Sequence, residues 1–492
     1  MIQAYAVGDV RAVEAALMAH LAEGELMARA ARGLADVVSD RLTERDGRRV
    51  VALVGGGNNG GDALYAVALL AQAVVAAGAV CTAYSSVHAG GREAALAAGV
   101  VVAAGGGSHW QALLAEADIV IDGITGIGGR PGLSDEAREW VAAIPESAYV
   151  VAVDLPSGVD PAGLVGTADC VFADETVTFG VAKPCHLLPA SEAAVGRLTV
   201  VDIGLDFTGR APVVERLAAP DVAAAWPVPT AASDKYSRGV VGVVAGSTAY
   251  PGAGILCVLG ALGTGPGMVR YLGPAAVAAL VHVHAPEAVT ATGRVQAWVL
   301  GSGVDPEDTD DEDQVRWIRQ ALDSDLPCVV DAGGLAFLAP RSAPTLITPH
   351  AGELARLLTR LAGSGESEVT REDVLDRPLE QAQAAADALG AVVLLKGATT
   401  LIVSPTAAGR PVRSQADAPP WLATAGAGDV LAGILGTLVA AGLDLADAAS
   451  VGAFVHGLAA DRANPGGPVR ALAVARRIPW IVSGVLAGLY TG

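Results

Sequence analysis

Short apolar runs along this chain end in glycine-rich loops, and each loop is followed by residues with helical spacing. The clearest case is the β-branched run Arg49–Val54, which leads into a glycine loop over residues 55–62 and a predicted helix over residues 63–78. Such a run is typical of a buried parallel strand. Strand, glycine loop and helix in this order are typical of nucleotide-binding α/β domains, in which ligands lie beyond the carboxyl ends of the strands.

Two further strands of the first half end in an acid and a small-residue loop. Residues 118–121 lead to Asp122, and residues 149–153 lead to Asp154 and then Ser157. In a parallel sheet, these strand ends would converge on one cleft with Asn59 and Asp62 of the first loop. Gathered carboxylates need a cation or a proton to hold them together. Their oxygens suit a hard cation or ribose hydroxyls better than a phosphate.

The second half repeats the pattern, which predicts strands at residues 240–246, 297–300, 328–330, 392–395 and 401–403. Its last glycine loop, residues 424–433, opens a helix, because the following apolar residues have the spacing of a buried helix face: Val430, Leu431, Ile434, Leu435 and Leu438. The start of that helix suits an anion such as a phosphate. A carboxylate beside an anion is repelled unless it takes a proton from the ligand, so Asp429 is a candidate base acting on a hydroxyl. The alternative is an acid that only stabilises the helix dipole.

Composition limits the partners and the compartment. At 492 residues the chain has room for two domains, and the prolines of residues 206–232 predict a boundary between residues 1–210 and 225–492. A net charge of −20 argues against nucleic acid or an anionic membrane surface. The Ala-rich run 66–80 is interpreted as buried helix rather than a membrane span. The first 20 residues lack the plan of a signal peptide, so we expect a cytoplasmic α/β protein.

Two scarce residue types mark candidate sites. The chain has three lysines against 29 arginines, so Lys183, Lys235 and Lys396 are candidates for places that need a compact ammonium group. Two of the three asparagines, Asn58 and Asn59, are adjacent in the first glycine loop. They are therefore expected to serve a ligand.

The motifs of the first half resemble those of the NAD(P)H-hydrate epimerase family, a Rossmann-like domain. They are Gly-Asn-Asn-Gly-Gly-Asp at residues 57–62, the Asp122 loop and Asp-Leu-Pro-Ser-Gly at residues 154–158. The resemblance implies that Asp154 handles the proton as the R and S hydrates interconvert at C6. It also implies a K⁺ ion bound by Asn59, Asp122 and Ser157. The residues implied to hold the hydrated nucleotide are Asn58, Asn59, Gly60, Gly61, Asp62, Gly126, Ile127, Gly128, Gly129, Arg130, Pro131, Gly132 and Asp154.

The chain departs from this family pattern in two places. Ala63 stands where the family usually has a further glycine, and residues 122–128 read Asp-Gly-Ile-Thr-Gly-Ile-Gly where the family usually has Asp-Ala-apolar-apolar-Gly-Thr-Gly. Both changes keep the residues small. We therefore expect them to affect the reaction rate or the substrate affinity rather than the assignment to this family. The role of Lys183 is left open.

The second half resembles the ribokinase-like superfamily and, within it, the ADP- or ATP-dependent NAD(P)H-hydrate dehydratases. The motifs that carry the resemblance are Lys-Tyr-Ser-Arg-Gly at residues 235–239, Thr-Pro-His-Ala-Gly-Glu at 348–353, Leu-Lys-Gly-Ala-Thr-Thr at 395–400 and Ala-Gly-Ala-Gly-Asp at 425–429. The resemblance implies that Asp429 takes the proton of the C6 hydroxyl as this oxygen attacks the terminal phosphate of ADP, with Mg²⁺ present. The residues implied to contact the hydrate are Ala253, Gly303, His350 and Asp429. Those implied to hold the nucleotide are Lys396, Gly397, Ala398, Thr399, Thr400 and Gly428.

Two alternatives stay open. The second domain could be a kinase of a small hydroxylated metabolite, because the Gly-Ala-Gly-Asp loop also serves the wider superfamily. The first domain could be a non-catalytic nucleotide-binding module, which would not need the full set of oxygen ligands. In either case we expect small-molecule partners and a homo-oligomer.

Overall fold

A computed structural model describes residues 1–73, 75–82, 86–104, 109–307, 312–363 and 367–490. The chain divides into two compact units, Gln3–Val214 and Glu215–Gly492, and the second also includes Met1–Ile2. The division lies inside the predicted proline-rich linker of residues 206–232. Part of that segment is helical, however, and buries Ala219 and Val222 in the core of the C-terminal unit.

The N-terminal unit is a series of strands and helices in alternation. The chain opens with strand β1 (Ile2–Ala4) and helices α1 (Val7–Met18) and α2 (Glu25–Arg45). The sheet strands are β2 (Arg49–Val54), β3 (Ala76–Cys81), β4 (Val101–Ala104), β5 (Ile119–Gly123), β6 (Tyr149–Val153), β7 (Glu175–Phe179) and β8 (Arg197–Val201). The helices between them are α3 (Asn58–Gln72), α4 (Ala89–Ala97), α5 (Trp110–Leu114), α6 (Asp135–Ala142) and α7 (Glu192–Val195), with a 3₁₀ turn at Pro184–His186.

These strands form a parallel sheet in the order β4-β3-β2-β5-β6-β7-β8. Alternate residues of β2 face opposite sides: Val50 and Ala52 pack with α2 and α3, whereas Val51 and Leu53 pack with α5 and α6. The predicted Rossmann-like, doubly wound domain is therefore confirmed. The chain reverses direction across the sheet between β2 and β5, which is where such folds bind ligands.

The helix predicted over residues 63–78 is wrong at both ends. Helix α3 begins earlier, at Asn58, so the Asn-Asn-Gly-Gly-Asp segment forms its first turns. It ends at Gln72, and Gly78 lies in strand β3. Gly78 pairs with Val51 of β2, so the sheet ladder takes residues that the alanine content assigned to a helix.

The C-terminal unit has a larger mixed sheet. Its strands are β9 (Val214–Arg216), β10 (Val240–Val244), β11 (Met268–Tyr271), β12 (Ala297–Leu300), β13 (Cys328–Val330), β14 (Thr345–Ile347), β15 (Val392–Leu395), β16 (Thr400–Val403) and β17 (Val412–Gln415). Its helices are α8 (Ala219–Ala225), α9 (Pro251–Thr264), α10 (Ala275–His284), α11 (Glu312–Leu322), α12 (Ala351–Ala362), α13 (Arg371–Asp376), α14 (Pro378–Leu389), α15 (Ala427–Ala440), α16 (Leu445–Ala463) and α17 (Ala471–Leu486).

Strands β11-β10-β12-β13-β14-β15 are parallel neighbours, and β16 and β17 continue the sheet in antiparallel orientation. Helix α15 packs on α9 and on β10 and β12. The five apolar residues of α15 predicted to form a buried face are at most 4 % exposed. The predicted α/β fold of the second domain is confirmed.

No helix in the described ranges is long and apolar enough to cross a membrane.

Candidate active sites

The N-terminal unit contains a cavity of about 580 Å³ at the carboxyl ends of its strands. The loops after β2 and β5 line it, together with Asp154 after β6 and side chains of α1 and α2. As predicted, the ends of three parallel strands meet at one cleft. The contribution of α1, which supplies Arg11, Glu14 and Met18, has no counterpart in the sequence analysis.

Asp154 is held in this cavity by a buried ion pair. Its Oδ1 accepts hydrogen bonds from Lys183 Nζ at 2.6 Å and Thr178 Oγ1 at 3.0 Å. Lys183 is 1 % exposed, and its Nζ also donates to Thr178 Oγ1 and to the Phe179 carbonyl. Burial alone would raise the pKa of Asp154, but Lys183 outweighs burial and holds that pKa below its usual value. Asp154 is thus a carboxylate at neutral pH.

The backbone at Asp154 is also constrained. Its φ is +66°, a left-handed conformation that non-glycine residues rarely adopt outside functional sites. His186 Nε2 donates to the Asp154 carbonyl at 2.8 Å, while Nδ1 accepts from the Lys183 amide at 3.0 Å. Burial lowers the pKa of His186 to about 4, so the ring is neutral and joins the two backbones. Lys183 and His186 therefore position Asp154.

Asp62 and Glu14 line the same cavity, and neither lies in an ion pair like that of Asp154. Burial, with the Asp154 and Glu14 carboxylates, raises the pKa of Asp62 well above its usual value. Burial also raises the pKa of Glu14, against the influence of Lys183. The pKa values of the carboxyl groups in this cavity are therefore shifted in opposite directions, that of Asp154 downward and those of Asp62 and Glu14 upward.

Asn59, Asp122 and Ser157 lie together beneath the loop that follows β5. Ser157 donates to Asp122 from its hydroxyl at 2.6 Å and from its amide at 2.7 Å, and Asn59 Nδ2 donates to the Thr125 carbonyl at 3.1 Å. A Cβ added to Gly126 would lie 2.9 Å from Asn59 Oδ1, so only glycine leaves room for this amide. Asp122 is fully buried, and burial raises its pKa to about 6.

The remaining residues predicted for the hydrate fall into two groups. Asn58 and Gly126–129 line the cavity, whereas Arg130, Pro131 and Gly132 are not among its lining residues. Gly60 and Gly61 are buried in the first turns of α3, where an added Cβ would meet the Gly55 carbonyl or the His88 ring. The lack of a side chain at these two positions lets the loop and the helix pack closely.

In the C-terminal unit, Lys396 and Asp331 form the centre of a polar cluster at the strand ends. Lys396 Nζ donates to Asp331 Oδ1 at 2.8 Å and lies 3.6 Å from Glu353 Oε2. Asp331 also accepts from Thr348 Oγ1 at 2.8 Å and from Ser302 Oγ at 2.9 Å. Burial would raise the pKa of Asp331, but Lys396 and these hydroxyls hold it below its usual value.

Helix α15 begins directly over this cluster. Its N-cap, Gly426, has φ +90° and provides no side-chain cap for the amides of the first turn. Of these, the Ala427 amide donates to the Thr424 carbonyl at 3.3 Å. A Cβ on Gly428 would lie 3.4 Å from Lys396 Nζ. Burial and the Asp331 carboxylate raise the pKa of Asp429 to about 7, although Lys396 and a hydrogen bond from Ser302 oppose them. A carboxyl group with this pKa can act as a base near neutral pH.

Ala253, in the first turn of α9, and Gly303, in the loop after β12, lie in contact, since a Cβ on Gly303 would be 2.4 Å from that of Ala253. His350 is the N-cap of α12, where its Nδ1 accepts from the amides of Gly352 and Glu353. Its side chain is 54 % exposed, and burial of the remainder lowers its pKa. His350 thus has a structural role whether or not it contacts a substrate.

The other residues predicted for the nucleotide surround Lys396. Gly397 and Ala398 are exposed, Thr399 is buried, and Thr400 begins β16. A second cavity of about 480 Å³ opens nearby, with Tyr250, Val304 and Glu353 among its lining residues. Of this cluster, the sequence analysis assigned a role to Lys396 alone. Thr348 stood in the motif of residues 348–353 without a role of its own, and Asp331 and Ser302 were given none.

Comparison with known proteins covers both units. Residues 241–474 match the family model described as NAD(P)H-hydrate dehydratase, and residues 23–185 match that of the YjeF-related protein N-terminus. The bifunctional NAD(P)H-hydrate repair enzyme Nnr of Mycobacterium tuberculosis (strain CDC 1551 / Oshkosh) is 44 % identical over 461 residues, which are 91 % of each chain. The chain belongs to the family of bifunctional NAD(P)H-hydrate repair enzymes.

Another member of this repair-enzyme family, from Mycobacterium leprae (strain TN), is 44 % identical over 479 residues, or 94 % of each chain. A solved ADP/ATP-dependent NAD(P)H-hydrate dehydratase from Bacillus subtilis, co-crystallised with ATP/Mg²⁺, is 25 % identical and aligns with a TM-score of 0.49. It covers 56 % of this chain and 100 % of its own.

The matched ranges include most, but not all, of the two sites. Asp62, Asp154 and Lys183 lie within the first matched range, and Asp331 and Asp429 lie within the second. Helix α1 precedes the first matched range. Arg11 and Glu14 therefore line the cavity but lie outside the part of the chain that the family model matches.

Proposed function

We propose that this chain repairs hydrated NADH and NADPH in two steps. The N-terminal domain, residues 1–210, interconverts the R and S hydrates, and the C-terminal domain, residues 225–492, uses ADP to dehydrate the S form, giving NAD(P)H, AMP and phosphate. The observation that carries the proposal is an identity of 44 % over 91 % of a bifunctional repair enzyme, because it spans both sites of one chain.

In the N-terminal step, Asp154 handles the proton. The reaction requires the configuration at C6 of the hydrated ring to be lost and regained, and a fixed carboxylate at the substrate supports proton transfer there. Oδ1 of Asp154 is committed to Lys183 and Thr178, which leaves Oδ2 to face the cavity. The loops at Asn58–Asp62 and Gly126–Gly132 hold the nucleotide.

A K⁺ ion fits the oxygens beside this cavity. Asn59, Asp122 and Ser157 provide amide, carboxylate and hydroxyl oxygens, and the buried Asp122 has no cationic side chain among the partners described for it. These are hard donors of the kind that bind such a cation. The described residues form no cluster of three His, Cys, Asp or Glu side chains that would indicate a transition metal. A bound K⁺ would supply fixed positive charge that orders the loop.

In the C-terminal step, Asp429 accepts the proton of the C6 hydroxyl while this oxygen forms a bond to the terminal phosphorus of ADP. The bond from that phosphorus to AMP breaks, and AMP leaves. The amides of residues 426–428 stabilise the phosphoryl group during its transfer. Phosphate then departs from C6 with the bonding electrons, a proton leaves C5, and the ring double bond is restored. The protein's part is to position the reactants and to hold the proton.

The nucleotide and hydrate occupy opposite sides of Asp429 in this proposal. Lys396, Gly397, Ala398, Thr399, Thr400 and Gly428 hold ADP, and Ala253, Gly303 and His350 contact the hydrate. We include Mg²⁺ as a companion of the nucleotide phosphates, since Mg²⁺ usually keeps waters and takes few protein ligands. A cytoplasmic location and a homo-oligomer stay predictions.

The test supplies a mixed R/S hydrate to the whole protein with ADP or with ATP and follows recovery of the near-ultraviolet absorbance of the dihydronicotinamide. Complete recovery with AMP and phosphate as products supports both steps and identifies the better donor. If absorbance recovers only to the level expected from the S form in the mixture, the N-terminal domain does not act as an epimerase. A stable phosphorylated product without recovered absorbance would favour the small-metabolite kinase instead.

A further inference from the structure

Three carboxyl groups line the cavity of the N-terminal unit. Asp154 is paired with the Lys183 ammonium, whereas Asp62 and Glu14 have no such partner among the described residues. We propose that Asp62 is the acid of the epimerisation, donating its proton to the departing C6 hydroxyl, while Asp154 accepts a proton from the water that adds to the other face. This inference rests on the proposed epimerase function and assigns a separate chemical role to a residue so far placed only in substrate binding.

The surroundings of the two acids differ in a way that matches these roles. Asp154 Oδ1 has two donors, one of them the buried Lys183 ammonium at 2.6 Å. Asp62, in the first turns of α3, faces Asp154 and Glu14, and no hydrogen bond or cation among the described residues stabilises its charged form. Two carboxyl groups whose surroundings separate their protonation states form an acid and base pair.

Both groups face the same ligand space. Asp62, Asp154 and Glu14 line one cavity with Gly126 and Asn59, Asp62 from α3 and Asp154 from the end of β6, so a ring bound there would have both carboxyl groups beside it. The cavity is open to solvent on part of its surface, and its lining includes the exposed Arg11 and the half-buried Glu14 of α1. Water can therefore enter and leave during the reaction.

The chemistry balances without a further reactant. The hydrate carries its hydroxyl on the carbon next to the ring nitrogen. As Asp62 donates its proton, the C6–O bond breaks, its electron pair leaves with water, and the nitrogen lone pair forms the N1=C6 double bond. A second water then bonds to C6 from the opposite face, the double-bond pair returns to nitrogen, and the released proton passes to Asp154. Exchange with solvent returns a proton to Asp62 and removes one from Asp154.

The experiment uses the whole protein and the R hydrate without ADP, so that dehydration does not proceed. Asp62→Asn is expected to lower kcat for epimerisation by about 100-fold or more, with little change in KM, because the amide keeps the shape but cannot supply the proton. Asp40→Asn, an exposed position on α2, is the matched control and is expected to keep wild-type rates.

A pH profile separates this role from a structural one. The wild-type rate is expected to fall as the pH rises past the raised pKa of Asp62, because the acid must be protonated, and Asp62→Glu is expected to keep such an alkaline decline. The charged and titratable groups beside Asp62 and Asp154 are Glu14, Arg11, Lys183 and His186. If Asp62 causes the fall in rate at alkaline pH, that fall is expected to be absent in Asp62→Asn.

Label from ¹⁸O-water provides the second readout. Wild-type epimerisation is expected to introduce one labelled oxygen at C6 of the S product, above the spontaneous rate. Retention of the original oxygen, or a kcat of Asp62→Asn within about threefold of wild type, overturns the proposal. If Asp62→Asn does not fold, loss of the alkaline decline in Asp62→Glu overturns it equally. A wild-type protein that does not interconvert the hydrates would contradict the proposed function itself.

Discussion

The Cβ of Ala63 lies only 2.6 Å from the position that a Cβ would take at Gly123. The family usually has glycine at the first position and alanine at the second, so this chain carries the methyl group on α3 instead of on β5. Only one methyl fits between them, because both positions are completely buried or nearly so. The changes at Ala63 and Gly123 therefore compensate each other.

Gly123→Ala is expected to lower the free energy of unfolding by about 1–3 kcal/mol through overpacking. The double variant Ala63→Gly with Gly123→Ala is expected to recover most of that loss. Chemical denaturation of the four proteins of this double-mutant cycle measures the coupling. Additive losses would show that the two sites are independent.

Glu175 provides a second stability test, because two arginines approach the same buried carboxylate. Arg41 Nε lies 2.7 Å from Oε2 and is nearly buried, whereas Arg197 is exposed and lies 4.0 Å from Oε1. Arg41→Met is expected to cost about 3–5 kcal/mol, since it leaves a buried charge without its partner. Arg197→Met is the matched control, and we expect a loss below about 1 kcal/mol. Equal losses in thermal or urea unfolding would contradict this assignment.

Lys183→Met tests what keeps Asp154 ionised. With the ammonium gone, burial raises the pKa of Asp154, so the base is protonated and inactive at low pH. Epimerisation by the variant is expected to rise with pH as Asp154 ionises through its new, higher pKa, unlike that of the wild type. Rates of R-to-S conversion between pH 5 and 9 check this, with S-hydrate dehydration as the control for the other unit. A variant with an unchanged pH profile would show that Lys183 does not set the charge of Asp154.

Asp429→Asn is expected to abolish dehydration, by about 100-fold or more, and to leave epimerisation intact. In the wild type the base must be ionised, so the rate of S-hydrate dehydration is expected to rise with pH through about 7 and then level off, following the raised pKa of Asp429. Steady-state rates with ADP measure both effects. Equal loss of both activities in Asp429→Asn would contradict the division of work between the two domains.

The sequence alone determined the elements that glycine and apolar spacing specify. The strand Arg49–Val54, the convergence of strand ends at Asn59, Asp122 and Asp154, and the helix that begins near Asp429 were all predictable. The physical reason is local, because parallel strands bring their loops to one edge and helical spacing reveals a buried face. The start of α3 was misplaced because asparagine and glycine are weak helix formers, and tertiary packing overrides that preference.

Only the tertiary structure decided which charges meet. Lys183 and Asp154 are 29 residues apart and Lys396 and Asp331 are 65 apart, yet each lysine lies within 2.8 Å of its partner. The contribution of Glu14 depends on how α1 lies over the sheet. A pKa follows from burial and from neighbours in space, which residue types and spacing do not encode. The sequence therefore indicated which residues form the sites, and the fold decided which of their carboxyl groups carry a proton.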